Sequence, residues 1–228
     1  MSMQGTFTSI VDAADRGWQA RLDRYAEGNR EKYLGFASLI KPCDFSREEI
    51  YRRLVFSILS VRTPFGRACV AYAEVLKLTE KQRGNTRTLA RAVKGCMYVK
   101  VKALACKRAW ELAGPALLRQ EGEDWHTYRV RLTGLHGLGK AKASFVACLL
   151  YPLEADLACL DTWILKQFGF PPEKNGHLTW EEYEHVEGRI RVHAKRWHVP
   201  TFVAQWIIWD HARGTVESHE ALMPGGHK

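Results

Sequence analysis

The chain has 228 residues, 46% of them hydrophobic and 26% charged, which is the balance of a soluble globular protein with room for one large core or two small ones. Thirty-four lysines and arginines against 25 aspartates and glutamates leave a net charge of +9, which favours a polyanionic partner, although a merely basic protein has the same balance. No apolar run approaches membrane-spanning length, and the six cysteines form no C-x-x-C pair and sit beside no histidine at zinc spacing, so neither a membrane span nor a zinc site is expected.

The pattern is helical nearly throughout. Apolar residues recur at helical spacing from Ile10 to Tyr25. Ser46-Arg47-Glu48-Glu49 spells a capping box and opens a helix to about Ser60. Thr63-Pro64 predicts an N-cap followed by proline at the first helical position, starting a helix to about Leu78. Residues 81–88 read as a polar loop. Helices follow over Thr88–Val93, Val99–Ala113, Asp124–Thr133 and Lys140–Leu150, then a connector Tyr151–Leu160 and a short helix Asp161–Phe168. Gly169–Leu178, broken by Pro171-Pro172, reads as a loop. Thr179-Trp180-Glu181-Glu182 is a second capping box, with a helix to about Arg196, and Pro200 begins the last helix, which ends at Gly214. Residues 215–228 read as a frayed tail. Tyr128–Leu132 alternates at strand period but is too short and isolated to found a sheet, so the expected class is all-α.

The most informative stretch is Leu135-His136-Gly137-Leu138-Gly139-Lys140-Ala141-Lys142, with Asp161 at the start of a later helix. It reads as a tight glycine turn between two helices. Such a turn leaves bare backbone N–H groups at a helix N-terminus, where they hold phosphate. Gly137 and Gly139 permit positive φ and close approach of another backbone. Leu135 and Leu138 anchor the turn in the core, and Lys140 and Lys142 flank the anion. The segment nearly spells a nucleotide P-loop, but Ala141 stands where a hydroxyl would bind magnesium, and no buried strand precedes it. Histidines 193 and 198 face different sides of a helix and form no metal pair. Trp206 and Trp209 have the spacing to stack on a base, although a buried helix face explains them more simply. The cysteines lie in apolar helical contexts and read as reduced core thiols. With no export signal in the polar Met1–Thr8 opening, the expectation is a cytosolic protein.

Leu135-His136-Gly137-Leu138-Gly139, then Ala143 and an apolar helix, then Leu160-Asp161-Thr162, resembles the helix-hairpin-helix (HhH-GPD) DNA glycosylase superfamily. Ile58-Leu59-Ser60-Val61-Arg62-Thr63 is similar to the family segment whose loop enters the duplex, and Tyr98–Leu112 to the family's helix after a Gly-Tyr-x-x-Lys-Ala segment. The resemblance covers roughly residues 46 to 170. His136 replaces the family's proline, the lysine slot of the bifunctional members holds Ala141, and the four-cysteine iron–sulfur motif of endonuclease III is absent.

The resemblance implies a two-lobed helical fold with the active cleft between lobes: residues 1–45 and 169–214 in one lobe, 46–168 in the other and 215–228 as a tail. It implies a DNA base-acting enzyme that flips a nucleotide from duplex DNA. Asp161 is the catalytic carboxylate, with Lys142 or Lys140 available for Schiff-base chemistry. DNA is bound by Leu135, Gly137, Leu138, Gly139, Lys140, Arg62 and Thr63, with Arg62 filling the vacated stack or contacting the orphan base. Tyr98, Trp163, Trp180 and Phe65 are base-pocket candidates, each read individually as core. No metal or cofactor is required, and a structural monovalent cation at the hairpin is permitted. The partner is double-stranded DNA, the state a monomer, and the setting the cytoplasm (nucleoid-associated) or a phage-infected host cell.

Three functions remain open on these residues. The first is a glycosylase that hydrolyses the N-glycosidic bond. The second is a phage-type hypermodification transferase that joins an amino acid or amine to an activated 5-hydroxymethyluracil. The third is a non-catalytic clamp that uses the hairpin only to bind duplex.

Overall fold

The computed structural model describes residues 4–171 and 177–216, with side chains from residue 17 onward. Residues 172–176 of the expected Gly169–Leu178 loop and 217–228 of the expected tail lie outside the described residues. Among the described residues every regular element is helical and no strand occurs. The helices are α1 (Gln4–Ser38), α2 (Arg47–Leu59), α3 (Phe65–Leu76), α4 (Glu80–Arg83), α5 (Thr86–Ala92), α6 (Val99–Leu112), α7 (Trp125–Thr133), α8 (Lys140–Leu150), α9 (Thr162–Gln167), α10 (Trp180–Trp197) and α11 (Thr201–Arg213), with a 3₁₀ turn at Pro115–Leu117. None is long and apolar enough to cross a membrane.

The chain divides into two compact units. One takes α1 up to Leu39 and the stretch from Leu160 through α11; the other is Ile40–Cys159. The break before Leu160 groups Asp161 and α9 with α10 and α11, not with the hairpin as in a lobe drawn over 46–168. The cause is apolar: Ile164 and Leu165 of α9 are buried, and α9 packs on α11.

In the Ile40–Cys159 unit, α2 is the central element and packs on α3, α6 and α8. Ile50, Tyr51, Leu54, Val55, Phe56, Ile58 and Leu59 are all buried, so nearly its whole circumference is core. Each such side chain contributes about 1.5–3 kcal/mol relative to an exposed one. Ser46 caps α2, its Oγ accepting the Glu49 N–H at 3.2 Å. The reciprocal half of the box is diverted: Glu49 accepts from Arg53 Nε at 2.7 Å, and the Ser46 N–H goes to Asp44 Oδ1 at 2.9 Å. Arg53 in turn donates to the Leu149 carbonyl at the end of α8.

Three sequence expectations are corrected here. Residues 81–88 are not a loop. Thr79 and Gln82 form a capping box for α4, and Asn85 caps α5 by accepting from Arg87 and Thr88 N–H. The helix after Thr63 starts at Phe65, with Pro64 in the cap position and no side-chain cap, because the Thr63 hydroxyl turns back to the Val61 carbonyl at 3.2 Å. The N-terminal helix also runs well past Tyr25. Its buried face of Leu22, Ala26, Tyr33 and Ala37 continues beneath the charged run Glu27–Lys32, which hides the periodicity.

The other unit is built round α11, which packs on α1, α9 and α10. Phe202, Val203, Ala204, Trp206, Ile207 and Ile208 are buried on it, and Gly214 at φ +67° ends it. The Thr179 capping box is complete: Glu182 N–H donates to Thr179 Oγ1 at 3.1 Å and Thr179 N–H to Glu182 Oε2 at 2.7 Å. None of the six cysteines is in a disulfide, and all but Cys69 are buried.

Candidate functional site

The hairpin forms as its glycines predict, with one difference. α7 ends at Gly134, and the turn closes through Leu135 N–H to Leu132 C=O and Leu138 N–H to Leu135 C=O, each 3.1 Å. Gly137 stands at φ +89°, and a Cβ there would sit 3.1 Å from Ala105 Cβ, so both backbone and space require glycine. Gly139, by contrast, has φ −88° and open space about it. It needs no left-handed conformation; what its bareness leaves is room for a ligand from outside. Leu138 is buried at the base of the turn, whereas Leu135 is only half-buried.

Gly139 is the N-cap of α8. No side chain caps the helix, and no acid stands in its first turn. The first intrahelical bond runs from Ala143 N–H to Gly139 C=O at 2.9 Å, so the preceding amides open toward the turn. Lys140 and Lys142 sit in that first turn, where positive charge opposes the helix dipole. An anion at that turn would offset the unfavourable placement of the two cations. The Leu135 and Gly139 carbonyls each accept one N–H, from Leu138 and Ala143.

The two lysines are held differently. Lys142 is half-buried; its Nζ donates to Ser60 Oγ at 2.9 Å and lies 5.0 Å from the Phe145 ring centroid, while its carbonyl accepts from Ser57 Oγ at 3.3 Å. Ser57 near the end of α2 and Ser60 at its C-cap thus hold Lys142 by backbone and by amine. Lys140 is half-buried, and its carbonyl accepts from Ser144 Oγ at 3.2 Å. Arg62 is exposed at φ +47°, with Nη1 donating to Tyr98 Oη at 3.2 Å. Tyr98 is itself exposed and left-handed, at φ +57°. Thr63 receives the ammonium of Lys102 on its hydroxyl.

Asp161 belongs to the other unit. It is the N-cap of α9: Oδ1 accepts the N–H groups of Trp163 and Ile164, both at 3.0 Å. Oδ2 accepts Trp209 Nε1 at 2.7 Å. The carboxylate is half-buried and fixed by three donors, with acceptor capacity left on Oδ2. Trp209 is held in turn by the Arg213 guanidinium, 4.2 Å from its ring centroid.

No protein-family model and no curated protein matches the chain. Solved structures do. The 8-oxoguanine glycosylase/lyase of Methanocaldococcus jannaschii, in complex with a 15mer DNA containing 8-oxoguanine, superposes with a TM-score of 0.68 at 18% identity, over 86% of this chain and 99% of that one. The 8-oxoguanine DNA glycosylase of Thermotoga maritima gives 0.68 at 20% identity, over 89% and 99%. A second structure of the M. jannaschii enzyme gives 0.59 at 16% identity, over 95% and 99%. This chain has the helix-hairpin-helix DNA glycosylase fold.

Within the DNA glycosylase fold, the structure brings Gly137, Leu138, Gly139, Lys140 and Lys142 onto one turn, and puts Arg62 and Thr63 together on the loop after α2. Of the base-pocket candidates, Tyr98 and Trp163 are about half exposed and are not core; Trp180 and Phe65 are half-buried. Trp206 is core, edge-on to Phe202 at 4.7 Å. Sequence reasoning missed Ser60, Lys102 and Trp209. Trp206 and Trp209 share one helix face at their spacing of three, and no local signal in the sequence pairs Trp209 with Asp161.

Proposed function

We propose that the protein is a DNA base-acting enzyme, and specifically a DNA glycosylase. The observation that supports this most is the fixed, half-buried carboxylate of Asp161, in a chain that has the DNA glycosylase fold and an uncapped, lysine-flanked hairpin. The hairpin amides and Lys140 hold the phosphate backbone. The target nucleotide leaves the stack at a cost of a few kcal/mol, which the phosphate contacts and Arg62 offset. As the C1′–N bond breaks, its electron pair leaves with the base and positive charge grows on the sugar. Asp161 stabilises that charge and takes the proton of the water that adds to C1′. Ala141 in the usual lysine slot favours hydrolysis over strand nicking. Lys142 forms a Schiff base only if its amine leaves Ser60.

The test is a panel of duplexes carrying 8-oxoguanine, uracil, alkylated bases, mismatched adenine or 5-hydroxymethyluracil derivatives. Released base and strand mass are followed together, with and without amino acids. Free base from one duplex and an abasic strand is the expected result. Added mass with the glycosidic bond intact would show a transferase instead. Binding without either product would leave only a duplex clamp.

A further inference from the structure

Lys102 is the one lysine among the described residues that is fully buried, 3% exposed. Its ammonium donates to the carbonyls of Leu59 and Val61, both at 2.7 Å, and to the Thr63 hydroxyl. Leu59 is the last residue of α2, and Val61 and Thr63 stand on either side of Arg62. Arg62 adopts φ +47°, a left-handed backbone that residues with a Cβ avoid. Such a conformation persists only where its surroundings over-determine it. Here the surroundings come from α6. Lys102 holds the Val61 carbonyl before Arg62 and the Thr63 hydroxyl after it, and Tyr98, one turn earlier, takes the guanidinium on its hydroxyl at 3.2 Å.

A buried ammonium is costly unless its donors are used, and all three of these are. Burial lowers the pKa of Lys102, with the Lys142 charge adding to the same effect. An apolar side chain in this place would leave the Leu59 and Val61 carbonyls to other donors and the Arg62 turn without its inner support.

We propose that Lys102 is a positioning residue that locks the loop 59–63 so that Arg62 is presented to DNA in one fixed direction. The proposal rests on the DNA-acting reading above. A lysine that merely neutralises the end of α2 would affect stability alone, so the role must be read through Arg62.

The experiment is a double-mutant cycle on the full chain. Lys102→Met, Arg62→Ala and the double variant are titrated with a duplex that carries a tetrahydrofuran abasic site, and amide exchange over 59–63 is followed in the DNA-free proteins. The expected result is faster exchange at 59–63 in Lys102→Met. Its binding should weaken by about tenfold, similar to Arg62→Ala, with no further loss in the double variant. Unchanged exchange, or losses that multiply in the double variant, would overturn the positioning role while leaving the DNA-acting reading in place. An Arg62→Ala protein that binds as the wild type does would remove the Arg62 contact from both. Should Lys102→Met fail to fold, Thr63→Val removes the hydroxyl that accepts from Lys102 and donates to the Val61 carbonyl; a smaller loss that vanishes in the Arg62→Ala background supports the proposal, and a loss that persists there overturns it.

Discussion

Trp209 donates its indole N–H to Oδ2 of Asp161 at 2.7 Å, across 48 residues of sequence. The other carboxylate oxygen is taken by two backbone amides of α9. One oxygen is therefore held by the local chain and the other by a distant helix, and the carboxylate cannot rotate without losing one set.

Asp161→Asn keeps the cap, because asparagine also accepts from the first turn of a helix. Turnover on the substrate duplex is lost, while DNA affinity is kept or rises. Trp209→Phe keeps the ring and removes only the donor. A hydrogen bond to a charged group is worth about 1.5–3 kcal/mol, so turnover falls roughly ten- to a hundred-fold if the bond orients the carboxylate in the reaction. Single-turnover rates with saturating enzyme check both; normal rates for Asp161→Asn would show that the carboxylate takes no part in the reaction.

The hairpin glycines separate stability from grip. Gly137→Ala meets a positive φ and Ala105 Cβ at 3.1 Å, and should destabilise the fold by about 1–3 kcal/mol. Gly139→Ala meets neither and should leave the unfolding midpoint within about 0.5 kcal/mol of the wild type. Under the proposed function its effect falls on duplex affinity, because the methyl would stand where a phosphate comes to the turn. Urea denaturation alongside anisotropy titration distinguishes the two. Equal destabilisation by both would contradict the geometry.

Lys140→Ala should weaken binding evenly across sequences and reduce the slope of log K against log salt by about 0.9 if its amine neutralises one phosphate. Lys142 starts from a bond to Ser60, so Lys142→Ala should change the slope less. Borohydride trapping on the substrate duplex decides its chemistry: a covalent adduct lost in Lys142→Ala assigns it a Schiff base.

Glu123 gives a pH signature. Arg131 grips it with both Nε and Nη2, at 2.9 and 2.8 Å, and this holds its pKa below the ordinary value of 4.5. A depressed folded pKa means the stabilisation is fully present above 4.5 and fades as pH falls through the lower folded value. Glu123→Gln should therefore be less stable than the wild type at neutral pH, with the gap closing on acidification below 4.5. Unfolding midpoints across that range test it; a gap that widens toward low pH has the wrong sign.

Much of the fold was legible because helix signals are local. Ser46, Asp124 and Thr179 each cap within four residues, and Gly214 ends α11 as a left-handed residue should. The misses have equally local causes. The caps at Thr79 and Asn85 serve helices too short to show a periodic face, and the charge run over Glu27–Lys32 interrupts the stripe that continues to Ala37.

What the sequence determined by itself was the all-helical class, the turn at Gly137 and the cap at Asp161, since capping, chirality and amphipathic spacing act within a few residues. Only the tertiary structure decided that Trp209 holds Asp161, that Ser60 holds Lys142 and that Lys102 supports the turn at Arg62. Those pairs lie 48, 82 and about 40 residues apart, and they meet only because helix packing brings distant segments side by side, beyond the reach of local signals.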